Sequence, residues 1–196
     1  MNSTTLSFAN IHNHGELFEN VFRARRDCYT IRHRWDLPEI MQSDYDQYDT
    51  PQSRWLAIHD DSGRVLAGAR LTPTNAKCGM YSYMLRDAQR GLLDQIPEDV
   101  LFDEAPILET TWEVTRGFVV HDIPAEERHM VRMSLVRQMM QASRDEGISR
   151  MLALLPSNWR RWAARCQLRM EAAGKVLEID GKAFQAVWID FSTQLN

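Results

Sequence analysis

The residues Trp112-Glu113-Val114-Thr115-Arg116, which continue as Gly117-Phe118-Val119-Val120, form the segment around which the predicted elements of this chain are arranged. Its aromatic and β-branched residues favour a half-buried strand over residues 111–120. Side chains alternate along a strand, so Glu113 and Arg116 point to opposite faces of an otherwise apolar element. Burying an ion is costly unless it is paired. The two charges therefore indicate either a working site or an ordinary edge ion pair.

The segments around this strand predict an alternation of strands and helices. They are a helix at 16–34, a polar loop at 36–52, strands at 53–59 and 64–72, a helix at 80–93, an acidic loop region at 94–113 with a short strand at 105–109, a helix at 125–145, a strand at 148–155, a helix at 159–173, and a hairpin of strands at 175–179 and 183–191. The strand–helix–strand part requires a parallel neighbour, whereas the hairpins are antiparallel. The sequence therefore predicts an α/β fold with a mixed sheet.

Composition limits the class of protein. The chain has 196 residues, of which 44% are hydrophobic and 26% charged, which suits one globular domain over 1–196. Within it we expect a helix and an acidic loop in 1–52 and the sheet core in 53–196. The net charge of −4 argues against a nucleic-acid partner. No run approaches the ~18 apolar residues of a membrane span, and the start lacks a signal-peptide pattern.

Potential metal ligands and nucleophiles form no recognised pattern. The cysteines, at positions 28, 78 and 166, lack CxxC spacing, which favours reduced thiols in a cytoplasmic protein. The histidines form no HExxH pair, so we expect no metal site. No Gly-rich turn of the G-x-G-x-x-G type follows a strand, so the usual methyltransferase and dinucleotide signatures are missing.

Charged and aromatic residues that are unusual for their predicted elements recur between residues 25 and 116. Arginines interrupt the strand at 64–72 and the helix at 16–34, and three aspartates stand in the loop at 36–52. An arginine-rich helix is by itself typical of a solvated face. The set consists, in chain order, of Arg25, Trp35, Asp44, Asp46, Asp49, Arg70, Glu113 and Arg116.

This set, in this order, resembles the LuxI-type acyl-homoserine lactone synthase family. An arginine, an aromatic residue and a tryptophan fall at 25, 29 and 35. The other matching runs are Asp44-Tyr45-Asp46-Gln47-Tyr48-Asp49, similar to the family's E-x-D-x-x-D segment; Arg70-Leu71-Thr72-Pro73-Thr74, its RLxPT strand end; Tyr83-Met84-Leu85-Arg86-Asp87, its YMLRD-type run; and Trp112-Glu113-Val114-Thr115-Arg116, its W-E-x-S/T-R strand. The five pieces lie in register, and beyond Val120 the similarity is one of pattern only.

The chain departs from the family pattern at several positions. Tyr29 stands where the family usually has Phe, and Asp44 where it usually has Glu. Ala88 and Gln89 stand where a Phe is expected after the YMLRD-type run. These changes leave the family resemblance in place and leave the choice of acyl chain open.

The resemblance implies a GNAT-like acyltransferase fold, with three layers (α-β-α) and a central strand pair that splays apart to receive a pantetheine thioester. It implies that S-adenosylmethionine (SAM) is a substrate, with no prosthetic group. The second substrate is an acylated acyl carrier protein or acyl-CoA. The SAM amine attacks the thioester, and the SAM carboxylate then closes the lactone and releases methylthioadenosine, which yields a quorum-sensing signal.

The resemblance also suggests roles for individual residues. Carboxylates at Asp46 and Asp49 hold the sulfonium or the amine of SAM, and Arg25 holds its carboxylate. Glu113, directly or through water, is the candidate general base for the attacking amine. A backbone N–H near Phe118 is the candidate donor to the tetrahedral oxyanion.

Two pairs of residues keep a second interpretation. Arg70 and Arg116 either act in catalysis or pair with the acids to fix the loop. Tyr29 and Trp35 either stack on the adenine or sulfonium or pack in the core.

Basic residues in the last third of the chain bear on the acyl donor. Arg128 and Arg132, one turn apart near a helix start, are candidates to contact the phosphopantetheine phosphate. The run 121–124 replaces the usual Gly-rich pyrophosphate loop, which favours a carrier-protein thioester over CoA. Arg161, Arg165 and Arg169 are spaced four apart, so we expect them on one face of the predicted helix. This stripe is either a docking face for an acidic carrier protein or a solvated face.

Two other functions remain open at this stage. One is a GNAT-type N-acyltransferase without the lactonisation step. The other is a non-catalytic module that binds an acyl thioester or SAM. The acidic loop favours the lactone synthase, because an ordinary acyltransferase has no need to hold SAM.

Overall fold

The chain forms strands and helices that we describe from a computed structural model, which covers residues 1–32, 39–40 and 43–191. The strands are β1 (Asn2–Leu6), β2 (Glu39–Ile40), β3 (Ser43–Asp44), β4 (Arg54–His59), β5 (Val65–Pro73), β6 (Thr111–Val119), β7 (Arg150–Pro156), β8 (Arg169–Ile179) and β9 (Lys182–Asp190). The helices are α1 (Leu17–Arg26), α2 (Met84–Gln89), α3 (Ala125–Asp145) and α4 (Trp159–Cys166). A π-helical segment, Asp27–Arg32, continues α1, and a 3-10 turn covers Ile11–Asn13.

The main sheet has the strand order β1-β4-β5-β6-β7-β9-β8. Strands β6 and β7 are parallel, whereas the pairs β1–β4, β4–β5, β7–β9 and β8–β9 are antiparallel. The predicted mixed sheet is therefore confirmed. The parallel register covers three residue pairs and ends at Glu113↔Leu152, although β7 continues to Pro156. The splayed strand pair that the family resemblance implies stays a prediction.

Two compact units make up the chain. The first contains Met1–Leu71 and Arg116–Gln141, and the second contains Thr72–Thr115 and Ala142–Asn196. Strands β5 and β6 contribute residues to both. One domain over 1–196, with a helix and an acidic loop in 1–52 and the sheet core in 53–196, stays a prediction.

The core of the first unit forms where α1 covers the strands. Leu17 and Val21, one turn apart, put the apolar side of α1 against Trp55 and Ile58 of β4. Phe118 of β6 is buried in the same cluster.

In the second unit, α2 and the segment around residues 100–105 pack on β7 and β8. At Gly174 a Cβ would lie 1.9 Å from the Val100 carbonyl oxygen, so this position requires glycine.

Strand β6 carries a bulge that its sequence pattern does not show. At its start the Thr74 N–H donates to the Thr111 carbonyl (3.0 Å), and just beyond its end the Val120 N–H donates to the Leu66 carbonyl (2.9 Å). Both hydrogen bonds leave the β6 chain on the side that faces β5, at Thr111 and at Val120. In a regular strand, residues that bond to the same side are an even number apart, whereas Thr111 and Val120 are an odd number apart. Strict alternation must therefore fail once between them. The left-handed residue Arg116 (φ 52°) marks the place.

Several predicted boundaries are wrong for identifiable reasons. The helix predicted at 159–173 ends at Cys166, because Gln167 adopts a left-handed conformation (φ 54°) and its neighbour Leu168 bonds back to the Ala163 carbonyl. Residues from Arg169 onward then pair with β9. The strand predicted at 105–109 does not form, and the loop at 36–52 contains the short pair β2–β3.

Other predictions hold, with one omission. The helix at 125–145 is confirmed at both ends, and the last hairpin turns at Asp180-Gly181, both with positive φ. The helix predicted at 16–34 is confirmed as far as residue 32, and residues 33–34 lie outside the described part. Strand β1, a polar run that pairs with β4, is missed by the sequence pattern.

Candidate functional site

The acidic loop after β3 is folded by its own aspartates. The Asp46 carboxylate accepts the Tyr48 N–H (2.9 Å), and the Asp49 carboxylate accepts the Asp46 N–H (3.0 Å). The Asp49 N–H in turn bonds to the Asp46 carbonyl (3.0 Å). Short Asp side chains favour such turns, so the spacing of the acids fixes the shape of the loop.

Asp49 is the most heavily bonded of these acids. Arg25 of α1 donates to it twice, from Nη1 to Oδ1 (3.0 Å) and from Nη2 to Oδ2 (2.6 Å). Trp55 Nε1 donates to Oδ1 (2.8 Å), and Arg70 Nη1 of β5 lies 3.1 Å from the same oxygen. The two-point arginine contact is the strong geometry for a carboxylate.

Asp46 joins two further arginines. Arg70 Nη1 donates to its Oδ1, and Arg116 Nη2 of β6 donates to its Oδ2 (2.8 Å). Asp44 is held differently: its Oδ2 lies 3.0 Å from Arg25 Nε and 3.5 Å from Arg116 Nε, but neither contact has hydrogen-bond alignment.

We call these six residues the Arg–Asp network: Arg25, Asp44, Asp46, Asp49, Arg70 and Arg116. Three cations face three anions, so the buried group carries no net charge when all six are ionised. Exposure of the side chains rises outward, from 1% at Arg25 and Arg70 to 5% at Asp46 and 12% at Arg116. The network therefore has a buried interior and a rim formed by Asp46 and Arg116.

Electrostatics distinguishes the three acids. Burial raises the pKa of Asp46 and Asp49, but the Arg70 cation and the other arginines outweigh it, so both pKa values lie below the usual range. For Asp44, burial outweighs Arg25 and Arg116, and its pKa is raised. Arg70 stays protonated, because Asp46 and Asp49 raise its pKa against the effect of burial.

Tyr29 belongs to the π-helical segment and contacts β6. Its hydroxyl donates to the Gly117 carbonyl, and its ring centroid lies 5.7 Å from the Arg116 guanidinium carbon. Burial raises the pKa of the phenol, against the opposing Arg116 cation. The other predicted aromatic residue, Trp35, lies outside the described residues.

Glu113 lies in the second unit, where it is fully buried. Its two carboxylate oxygens accept the N–H groups of Met84 (2.9 Å) and Leu85 (2.8 Å) at the start of α2. A carboxylate in this position satisfies helix N–H groups that have no partner inside the helix. Glu113 therefore links β6 to the YMLRD-type run, a link that the sequence resemblance does not reveal.

Phe118 faces inward, and its ring lies against Gly68 of β5: a Cβ at residue 68 would be 2.9 Å from Phe118 Cε1. The Val120 N–H bonds to β5, so alternation places the Phe118 N–H on the β5 side too. The N–H groups of Gly117 and Val119 then point to the opposite edge of β6, which we call the outer edge.

The predicted phosphate contacts are only partly arranged for that role. Arg128 donates to the Ile123 carbonyl (3.2 Å) and the His121 carbonyl (2.7 Å), so it closes the turn before α3. Arg132 lies one turn further along α3 and is half-buried.

Of the arginine stripe, Arg161 and Arg165 are exposed on α4. Arg169 starts β8, so the prediction that all three share one helix face is wrong.

Sequence reasoning missed two contributors. Trp55 holds Asp49 through its indole N–H, and Cys28 lies 3.9 Å from the Val119 carbonyl. Neither carries a local signal, since a strand Trp and a helical Cys are ordinary core residues. Over residues 1–32, 39–40 and 43–191, no cluster of His, Cys, Asp and Glu has the arrangement of a metal site.

Two open pockets in the first unit lie apart from the network. One of about 420 Å³ is lined by residues that include Asp27, Cys28 and Arg64. The other, of about 490 Å³, is lined by residues that include His14 and His59. Their walls contain no member of the Arg–Asp network, so the network is a packed polar cluster and not the wall of either pocket.

Comparison with known proteins identifies the family. The sequence model of the autoinducer synthases matches residues 9–194. A curated relative, the acyl-homoserine-lactone synthase of Aeromonas salmonicida, is 26% identical over 184 residues, which cover 92% of this chain and 82% of the relative. The chain thus belongs to the autoinducer synthase family, and the predictions of the family and of an acyltransferase are confirmed.

Solved structures share the fold. The CoA-dependent acyl-homoserine lactone synthase BjaI, solved with SAM and isopentyl-CoA, has a TM-score of 0.78 at 21% identity and covers 97% of this chain and 83% of its own. TofI, solved in a ternary complex with an inhibitor and MTA, has a TM-score of 0.75 at 21% identity, covering 97% and 92%. The predicted GNAT-like fold is confirmed.

The helices of the described residues are too short or too polar to cross a bilayer.

We predict that Asp49→Asn destabilises the protein more than Asp44→Asn does. Removing Asp49 leaves Arg25 and Arg70 without their carboxylate, and breaking a buried pair in this way costs about 3–5 kcal/mol. The charge of Asp44 is already disfavoured by burial, so its loss costs less. Urea denaturation of both variants and the wild type at neutral pH measures the difference, and equal losses would contradict the asymmetry.

The same network predicts how stability depends on pH. Because folding lowers the pKa of Asp46 and Asp49, their contribution is complete above the unfolded carboxyl pKa of about 4 and is lost as the pH falls below it. Wild-type stability should therefore decline from about pH 4 downward, and Asp49→Asn should flatten this decline. An unchanged acid limb in the variant would show that other carboxyls cause it.

Proposed function

We propose that this protein synthesises an acyl-homoserine lactone from SAM and an acyl thioester. The SAM amine nitrogen bonds to the acyl carbon, the thioester C–S bond breaks, and the thiol leaves. The SAM carboxylate oxygen then bonds to the γ-carbon of the same molecule. The C–S bond of the sulfonium breaks in that step, and methylthioadenosine leaves.

The observation that carries this proposal is the Arg–Asp network. The acids and arginines that the family resemblance selected meet in one buried cluster. They come from distant parts of the chain: Asp44 contacts Arg25, 19 residues before it, and Arg116, 72 residues after it. A plain N-acyltransferase has no need to hold SAM, so a charged cluster of this cost favours the synthase over that alternative. Membership of the autoinducer synthase family supports the same choice.

Within the network we assign different roles to the interior and the rim. Arg25, Asp49 and Arg70 bind one another and serve as the scaffold that fixes the loop. Asp46 and Arg116 are the more exposed members, so we assign the SAM amine to Asp46 and its carboxylate to Arg116. This assignment moves the carboxylate contact from Arg25, whose guanidinium is almost fully buried. Adenine stacking by Trp35 stays a prediction.

The proton and the oxyanion require further groups. Glu113 is retained as the general base, and we infer that it works through water, because backbone N–H groups already bond to both of its oxygens. For the oxyanion we propose the N–H groups of Gly117 and Val119 on the outer edge of β6, in place of the Phe118 N–H.

An acyl carrier protein is the proposed donor, with acyl-CoA as the alternative. Arg161 and Arg165 are exposed one turn apart on α4, and Arg160 is exposed beside them. Carrier proteins are acidic, so this patch has complementary charge. Arg128, which the His121–Ile123 turn already uses, is less available for a CoA phosphate. The proposed site of action is the cytoplasm, where SAM and carrier thioesters are made.

The direct test is product analysis. The purified protein is incubated with SAM and a panel of acyl carrier protein and acyl-CoA thioesters, and the products are resolved by mass spectrometry. We expect methylthioadenosine and an acyl lactone in equal amounts, because one turnover releases both. Acyl transfer without methylthioadenosine would identify a plain N-acyltransferase, and SAM binding with neither product would identify a binding module.

Charge reversal on α4 tests the donor. The double variant Arg161→Glu, Arg165→Glu should lower kcat/KM for the carrier-protein thioester about tenfold, because repulsion replaces steering. The same acyl group on CoA serves as the matched control and should react at the wild-type rate. Equal losses with both donors, or none with either, would exclude α4 as a docking surface.

Glu113→Gln tests the base. Proton transfer of this kind contributes about 10²–10⁴-fold, so turnover should fall by that order while SAM binding persists. The amide can still accept one of the two N–H bonds, which limits the damage to α2.

The pH profile separates the two roles of Glu113. For a base, the rising limb of kcat/KM against pH should vanish in the variant. A retained limb, together with a lowered unfolding midpoint, would show that Glu113 acts only as the cap of α2, and loss of SAM binding in a folded variant would refute the base assignment.

A further inference from the structure

Two carbonyls on the outer edge of β6 are bonded by side chains of the π-helical segment. The Tyr29 hydroxyl donates to the Gly117 carbonyl, and Cys28 Sγ lies 3.9 Å from the Val119 carbonyl. The donors are neighbours in sequence, and the acceptors are two residues apart, so both carbonyls lie on one edge. The π-helical segment is therefore docked along the part of β6 that follows the bulge.

The same edge carries the N–H groups of Gly117 and Val119. In an extended strand the N–H and the carbonyl of one residue point to the same side. The Gly117 carbonyl thus lies between the two N–H groups that we assign to the oxyanion. Directly before it, Arg116 has a left-handed backbone, which non-glycine residues adopt only when their surroundings impose it.

We propose that Tyr29 is a positioning residue, whose hydroxyl fixes the direction of the Gly117 and Val119 N–H groups by holding the carbonyl between them. The inference rests on the proposed function, since it assumes that these N–H groups meet the thioester oxyanion. Tyr29 itself touches backbone and the Arg116 side chain, so it acts through β6 and is not a catalytic residue.

The chemistry of the phenol suits this task. Burial raises its pKa, which favours the neutral form that donates the hydrogen bond. Its ring lies beside the Arg116 guanidinium, which also bonds to Asp46. The ring thus contacts Arg116 and the hydroxyl bonds to Gly117, which are consecutive residues at the bulge. Phenylalanine could supply the ring contact and not the hydrogen bond, which makes the hydroxyl an addition of this chain to the family pattern.

The test is Tyr29→Phe, which removes only the hydroxyl. We expect kcat to fall about 5–10-fold, the loss typical of one hydrogen bond in a transition state, with KM for SAM and for the acyl donor within about twofold of wild type. Amide hydrogen exchange should accelerate over residues 117–119. Ser149→Ala is the control, because it removes a hydroxyl that donates to the Thr110 carbonyl (3.1 Å) in the second unit; it should leave kcat and these exchange rates unchanged.

The possible results separate the proposals. Wild-type kcat and exchange in Tyr29→Phe would overturn the positioning role, and so would a rise in KM for SAM at constant kcat, which would instead indicate stacking on SAM. Should Tyr29→Phe not fold, Cys28→Ala tests the same edge: faster exchange at Val119 with lower kcat upholds the role, and an unchanged kcat overturns it. Wild-type protein that forms no lactone would defeat the proposed function itself, which the first assay reveals before any variant is made.

Discussion

The two-point bond between Arg25 and Asp49 is the constraint on which the first unit depends. Both side chains are removed from water, and an ion in that position is tolerated only with full pairing. Arg25 must therefore leave α1 on its inner face, and the loop after β3 must return Asp49 to it. Trp55 and Arg70 then occupy the remaining sides of the same carboxylate. Helix α1, strand β4 and strand β5 are thus fixed relative to the acidic loop by one group.

Strand β6 contacts the Arg–Asp network through Arg116, and the strand is irregular at this residue. In a regular strand, successive backbone N–H groups point alternately to the two edges throughout. At the left-handed Arg116 this alternation shifts by one residue. Strain of this kind costs about 1–3 kcal/mol and persists where the surroundings compensate for it. Here Arg116 bonds to Asp46, its guanidinium lies by the Tyr29 ring, and the next carbonyl is held by the Tyr29 hydroxyl. The bulge and the network therefore stabilise each other.

The sequence predicts a structural feature when neighbouring residues carry the signal for it, such as a residue that starts or ends a helix. Helix 125–145 is framed by Pro124 and Gly147, and both of its ends agree with the structure. The charges that interrupt apolar elements pointed to a paired cluster, because isolated ions would be too costly there. Their partners could not be assigned, since an ion pair depends on which segments meet in space. Arg25, for example, bonds to Asp49, a partner that the sequence did not assign to it.

Other features leave no pattern to read. The bulge depends on one φ value at Arg116, and only the following Gly117 hints at it. The end of α4 depends on a left-handed Gln167, while apolar residues continue beyond it at steps that suit a helix or a strand. Glu113 shows a charge in a strand, and nothing in its neighbours reveals that α2, almost thirty residues earlier, begins at its carboxylate. In each case tertiary contact, and not propensity, makes the choice.

The charge balance of the network bears on how it can serve a zwitterionic substrate. Three arginines match three aspartates, so adding one more ion to the cluster would leave a net buried charge, which is expensive. SAM brings an ammonium and a carboxylate together on one amino-acid end. In the proposed function the SAM ammonium pairs with Asp46 and the SAM carboxylate pairs with Arg116. These two new ion pairs replace the bond between Asp46 and Arg116, so the net charge of the cluster is unchanged. A network of balanced charge with an exchangeable pair at its rim can hold such a substrate without losing the Arg25–Asp49 bond that fixes the loop.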